Sequence, residues 1–207
     1  MHIQFLGLSS FKLTTKDAIV VTDPYGKESG MTPPRGNADI VVLAEKTNPL
    51  YSGFSSLSGE PFMVDSPGEY DVKGVTVTGI PLKQEGGYVT VYLIESEDIK
   101  ILNLTHIKDF NIKEDELEDL GEIDVLLIPV GGESVIDASR AAKIVNQIEA
   151  KIVIPSHFAD PALTLKLDTI EHFIKEMGGK AETLDKIILK KKDLAGSEET
   201  KVIILTA

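Results

Sequence analysis

The alternation of apolar and polar residues divides the chain into two halves of different rhythm. The first half reads as strand after strand. Residues 2–6, 10–14 and 18–23 are short β-type runs, separated by Gly7-Leu8-Ser9 and by Thr15-Lys16-Asp17. Residues 26–37 hold three glycines and two prolines and read as a loop. Residues 39–43 form a continuous apolar strand, after which residues 45–59 turn polar and small. Further strands are predicted at 61–64, 70–72, 75–80, 88–95 and 99–104, and a short acidic helix at 114–120. Val75-Thr76-Val77-Thr78 alternates as a half-exposed strand does.

In the second half the strands lengthen into a helical pattern. Residues 123–130 are almost wholly apolar and run into Gly131-Gly132. Asp137 is placed to cap a helix whose apolar side is Ala138, Ala141, Ala142, Val145 and Ile148. Residues 152–154 are the next buried strand, so this stretch is a β-α-β unit with parallel neighbouring strands. A second helix is expected from Asp168, with Glu171 as capping-box partner and Ile170, Phe173, Ile174 and Met177 as its buried stripe; Gly178-Gly179 ends it. Residues 186–190 and 202–205 read as a closing hairpin. Sheet packed on sheet, with helices outside, is the architecture this pattern predicts.

Bulk composition narrows the function classes. The 207 residues can bury a sizeable core, show no convincing linker, and are expected to form one domain, 1–207. Apolar residues are 42% and charged residues 26%, an ordinary globular balance. Acidic residues outnumber basic ones 33 to 21, for a net charge of -12, which repels a phosphate backbone and argues against nucleic-acid binding. The absence of cysteine excludes disulfides and thiolate metal sites. No apolar run approaches the roughly 20 residues of a membrane span. The first residues start directly as a strand, without a signal-peptide layout, so a cytoplasmic location is expected.

Six segments carry a resemblance. They are Gly7-Leu8-Ser9-Ser10-Phe11, Val21-Thr22-Asp23-Pro24, Ala38-Asp39-Ile40-Val41, Ser66-Pro67-Gly68-Glu69-Tyr70, residues 123–132 with Asp137-Ala138, and residues 151–157. In that order they resemble segments of the metallo-β-lactamase superfamily, in its branch of small bacterial and archaeal metal-dependent hydrolases. The resemblance implies an α/β (α+β) fold, a four-layer αββα sandwich with the site at one edge between the sheets.

It also implies a metal centre whose ligands come from an H-x-H-x-D-H loop after the strand at 38–43, a later histidine, a bridging aspartate and a last histidine. Such ions make a bound water nucleophilic near neutral pH. At the four motif positions this chain has Glu45, Thr47, Pro49 and Leu50, and Pro49 and Leu50 have no side-chain ligand atom. The later histidine position is Asn103, the bridging aspartate position is His106, and the opening segment has Leu8 for histidine. Only His157 matches in type. Asp23, which supports the metal shell in the family, either does so here or caps the Pro24 turn.

Two functions follow from this pattern. One is a homologue without the dinuclear site and with no metal expected, a non-catalytic protein with a pocket at Leu8, Asp23, Glu45, Thr47, Pro49, Leu50 and Asn103, binding a small molecule or a protein. The alternative is a hydrolase of an ester, lactone or phosphodiester using one divalent ion (Zn, Mn or Fe) at Glu45, His106 and His157. Against that alternative stands a plain reading of His106 and His157 as hydrogen-bonded strand-end residues. A nucleic-acid-cutting role, known among relatives, is disfavoured by the charge.

The remaining features read most simply as structure. His172 is expected at the surface, Gly131-Gly132 as a tight turn and Glu69 in a turn between strands. Lys190-Lys191-Lys192 is expected to pair with Glu198 and Glu199 across the hairpin. Ser9 or Ser10 with His106 as nucleophile and base lacks the G-x-S-x-G elbow. Exposed strand edges make a homodimer an expectation as well.

Overall fold

The computed structural model describes residues 1–84, 87–109, 118–194, 196 and 199–207. The first half contains β1 (His2–Gly7), β2 (Ser10–Thr14), β3 (Ile19–Thr22), β4 (Gly36–Asn37), β5 (Ile40–Val42), β6 (Leu57–Ser58) and β7 (Phe62–Val64). It continues with β8 (Gly68–Val72), β9 (Val75–Gln84), β10 (Gly87–Ser96) and β11 (Ile99–Asn103). The second half adds β12 (Val125–Pro129), α1 (Ala138–Ile148), β13 (Ile152–Ser156), α2 (Ile170–Glu176), β14 (Glu182–Leu184), β15 (Ile187–Ile188) and β16 (Lys201–Leu205).

Apart from β4 and β6, which pair with each other, these strands form two large sheets, ordered β15-β1-β2-β3-β5-β7 and β14-β16-β13-β12-β11-β10-β9-β8. Their facing sides make the central core. Ile3, Phe11, Leu13 and Val20 come from one sheet; Val77, Ile94, Ile101 and Leu127 come from the other. The period of two sends the intervening residues outward. Outward-facing Leu102, Leu126, Ile128 and Val153 of the second sheet pack under Ala141, Ile144 and Val145 of α1 and Phe173 of α2. The Asp137 carboxylate caps α1, accepting the Arg140 N–H at 2.8 Å. β12 and β13 are parallel neighbours around α1, as the β-α-β pattern requires. The outer face of the first sheet is covered by short 3-10 turns and extended loops, through Leu8, Val21, Val41 and Tyr51 with Leu163, Leu165 and Leu167. The whole is the metallo-β-lactamase type of sandwich, with its outer layer thin on that side.

Three local expectations change. Residues 186–190 and 202–205 do not pair with each other: β15 runs antiparallel to β1 in the first sheet, while β16 lies parallel to β13 and β14 in the second. Lys191 accordingly reaches the buried Asp124 at 2.8 Å, beside Lys151 at 2.9 Å, instead of an acidic strand across a hairpin. Helix α2 begins one residue later than expected, with Thr169 at its N-cap, and of its stripe only Phe173 is fully buried. The predicted acidic helix and Glu198 fall mostly or wholly outside the described residues. No described helix is long and apolar enough to cross a membrane.

Strand direction sets the site. β3 runs parallel to β5, and β11, β12 and β13 run parallel to one another. Their carboxyl ends deliver Asp23, Glu45, Asn103, His106, Gly131 and His157 to one edge of the sandwich, where sites of parallel sheets gather.

Candidate functional site

His157 follows β13 directly and takes a left-handed backbone, φ 52°. Its N–H donates to the Leu8 carbonyl at 2.6 Å. Its ring Nδ1 lies 2.8 Å from the Ser9 hydroxyl, and Nε2 lies 3.4 Å from the Ser134 hydroxyl. Burial, aided by His106 and opposed by Asp23, depresses its pKa to about 3, so the ring is neutral at pH 7. Leu8 and Asp23 also have positive φ, 54° and 40°. Strain at three non-glycine residues within one site is the kind a fold retains where it over-determines geometry.

Asp23 is fully buried, and both its carboxylate oxygens are engaged. Oδ1 accepts the Ala44 N–H at 2.9 Å, and Oδ2 accepts the Thr105 hydroxyl at 2.8 Å. His106 Nε2 stands 3.5 Å from Oδ1, an electrostatic contact without a hydrogen bond. Asn103 accepts the Thr105 N–H through Oδ1 at 3.3 Å, while its buried Nδ2 has no hydrogen-bond partner among the described residues. Asp23 is thus a member of the buried network as well as the residue before the Pro24 turn.

The loop after β5 fills the remaining space from the other side. Glu45 turns to Asn48, whose amide donates to Oε2 at 2.8 Å. Asn48 in turn caps the 3-10 turn Pro49–Tyr51 by accepting the Leu50 N–H at 3.1 Å. Thr47 and Pro49 are exposed on this turn, and Leu50 is half-buried with the outer cluster. Tyr51 is driven inward to 1% exposure. Its ring meets His106 edge-on, with centroids 4.1 Å apart at 86°. Burial raises the Tyr51 pKa and the influence of Ser9 only partly opposes this; the phenol stays neutral.

The structure therefore brings Leu8, Asp23, Asn103, His106 and His157 together, with the two imidazole centroids 6.4 Å apart. Thr47 and Pro49 stay on the surface. Among the described residues, no three His, Cys, Asp or Glu side chains form a group able to hold a metal ion. Ser9 pairs with His157 and not with His106. Gly131-Gly132 is a tight turn, with Gly131 bridged to Asp137 and pressed so closely on the His157 carbonyl that a Cβ does not fit. His172 is exposed, and Glu69, expected in a turn, lies exposed within β8, paired with Thr78 of β9. Sequence reasoning missed Tyr51, Thr105 and Ser134; the one available signal was Tyr51, the sole aromatic residue between 45 and 53.

The model of the β-lactamase superfamily domain matches residues 2–157, about three quarters of the chain. The chain belongs to this superfamily. Within the superfamily it resembles a UPF0173 metal-dependent hydrolase of Thermococcus onnurineus, 30% identical over 194 residues that cover 84% of this chain and 79% of that one. A second relative, a UPF0173 metal-dependent hydrolase of Pyrococcus horikoshii, is 26% identical over 84% of this chain and 78% of its own length. Among solved structures, a Zn-dependent hydrolase of the metallo-β-lactamase superfamily from Thermotoga maritima superposes with a TM-score of 0.81 at 28% identity, over 99% of this chain and 97% of that one. The branch of small metal-dependent hydrolases is the chain's place in the superfamily.

Proposed function

We propose that this member of the superfamily binds a small ligand at the sheet edge without the family's two-metal centre. The observation that carries the reading is Tyr51. The loop that supplies the family's first ligands here supplies a buried phenol whose ring is seated edge-on against His106. The donor set fits a dinuclear centre poorly. Pro49 and Leu50 have no side-chain ligand atoms, the Asp23 carboxylate already accepts two hydrogen bonds, and Glu45 is turned to Asn48. Fold does not fix chemistry, so the site outweighs the ancestry in this reading.

A second reading has specific support. The relatives' names favour a metal-dependent hydrolase, and His106 Nε2 is buried 3.5 Å from Asp23 without a hydrogen-bond partner among the described residues. One divalent ion at Glu45, His106 and His157, admitted after the Pro49–Tyr51 turn lifts, would serve an ester, lactone or phosphodiester hydrolase. Equilibrium dialysis against zinc, manganese and iron(II), followed by metal analysis, separates the two. The metal-free reading expects no more ion in the wild type than in His157→Ala. About one ion per chain, lost in His157→Ala and His106→Ala, supports the hydrolase and calls for a substrate screen.

A further inference from the structure

We propose that the chain carries a phenol-shaped binding site filled by its own Tyr51, and that a small aromatic alcohol is the class of ligand that takes the ring's place. The inference rests on the metal-free reading above and names the ligand class for that same site.

A side chain seated in a site reports the shape and chemistry of the space it fills. Tyr51 is, with Tyr92, among the largest fully buried side chains of the described residues, yet it hangs from a surface turn whose Pro49 and following Ser52 are exposed. Its ring contacts are of the kind that recognise an aromatic ring. The edge-on meeting with the neighbouring His106 imidazole at 4.1 Å is a favoured aromatic geometry. Leu8, Val41 and Leu43 belong to the same apolar cluster. Ser9, next in the chain to Leu8 of that cluster and fixed by His157 at 2.8 Å, is the polar group that acts on the phenol. A ring, an apolar wall and one polar partner for a hydroxyl are what a phenol requires. Asn103 Nδ2 and His106 Nε2, each buried without a hydrogen-bond partner among the described residues, would be further polar contacts for a ligand's substituents.

The occupant is held by a short device. Pro49–Tyr51 is one 3-10 turn, closed by the Tyr51 N–H to the Asn48 carbonyl at 3.0 Å and tied to the neighbouring loop by the Gly26 N–H to the Leu50 carbonyl at 2.7 Å. Short 3-10 turns have poorer hydrogen-bond geometry than α-helix, so withdrawing this one costs less than unravelling a helix. Removing a ring of this size from a packed site leaves a cavity that accepts a ligand of matching shape.

The test uses phenol itself, with chelator-dialysed protein, and reads binding by calorimetry. Tyr51→Ala is expected to bind phenol at least tenfold more tightly than the wild type, and Ser9→Ala in that background to lose most of the gain. Folded Tyr51→Ala with no gain overturns the proposal. Should Tyr51→Ala fail to fold, the wild type decides: with 3-fluorotyrosine incorporated, and Tyr51→Phe used to assign the signal, excess phenol moves the Tyr51 fluorine resonance toward the exposed position. A Tyr51 signal that phenol leaves in place refutes exchange. Metal content measured on the same samples separates this outcome from failure of the metal-free reading, since phenol binding is scored with no ion present.

Discussion

The Nδ1 atom of His157 stands 2.8 Å from the Ser9 hydroxyl, and the His157 N–H stands 2.6 Å from the carbonyl of Leu8. One residue after β13 therefore closes two hydrogen bonds onto the β1–β2 turn, joining the two sheets at the site edge. A buried polar group that loses its partner costs about 1–3 kcal/mol. Ser9→Ala is expected to lower unfolding stability by about that amount in urea titrations, with the slope of the transition unchanged.

His157 gives the protein an acid-sensitive component of stability. Its folded pKa, depressed to about 3 by burial, lies below the roughly 6.5 of an unfolded chain. Between these values the unfolded state binds a proton that the native state refuses, so stability falls as pH drops through this window and is fully present above it. Urea unfolding at pH 7, 6, 5 and 4 is expected to show a steeper loss in the wild type than in His157→Gln. Equal slopes would place the acid sensitivity elsewhere.

Asp124 is a second buried charge, far in sequence from its partners. Burial pushes its pKa up, but hydrogen bonds from Lys191, Lys151 and the Lys100 N–H outweigh this, and the net shift is downward. The sign is that of a paired carboxylate: its contribution is present above the unfolded carboxylate pKa and is lost as pH falls through the lower folded value. Asp124→Ala leaves two lysines without their buried partner. Lys191 is nearly half-exposed, so water offsets part of the loss, and a cost of about 2–3 kcal/mol is expected in chemical denaturation.

Gly131 touches the site through its backbone. A Cβ there would run into the His157 carbonyl, so Gly131→Ala is expected to displace His157 and to cost about 1–3 kcal/mol. The His157 ring resonances should shift in the same variant. Gly36, whose Cβ position is open, serves as a comparison in which only the positive φ of 115° is strained.

Period and caps made much of the fold legible. The strand at 10–14 and the helix capped by Asp137 occur where alternation and helical spacing put them, because each follows from neighbours within a few residues. Sheet membership is a long-range property. β15 and β16 look alike as apolar runs, and nothing local tells that one joins β1 and the other β13. The site divides the same way. The resemblance pointed to Asp23 and Asn103, and apolar runs pointed to His106 and His157 after them; the four lie near one another because the carboxyl ends of their parallel strands share one edge. Tyr51 was not legible, since its inward turn depends on backbone contacts made elsewhere. Gly53 lies against the Tyr25 carbonyl too closely for any side chain, and Gly26 ties down Leu50.

The most direct measurement of the central claim is thermal unfolding of the wild type with chelator, and then with about a hundredfold excess of zinc or manganese over a micromolar dissociation constant. An ion bound to the native state under that condition adds about 2.7 kcal/mol, which for a chain of this size raises the Tm by roughly 5–10 °C. A site filled by Tyr51 predicts the same Tm in all three conditions, within the precision of the scan. A rise of that size, absent from His106→Ala and His157→Ala, would contradict the account and establish a metal centre where it places a phenol.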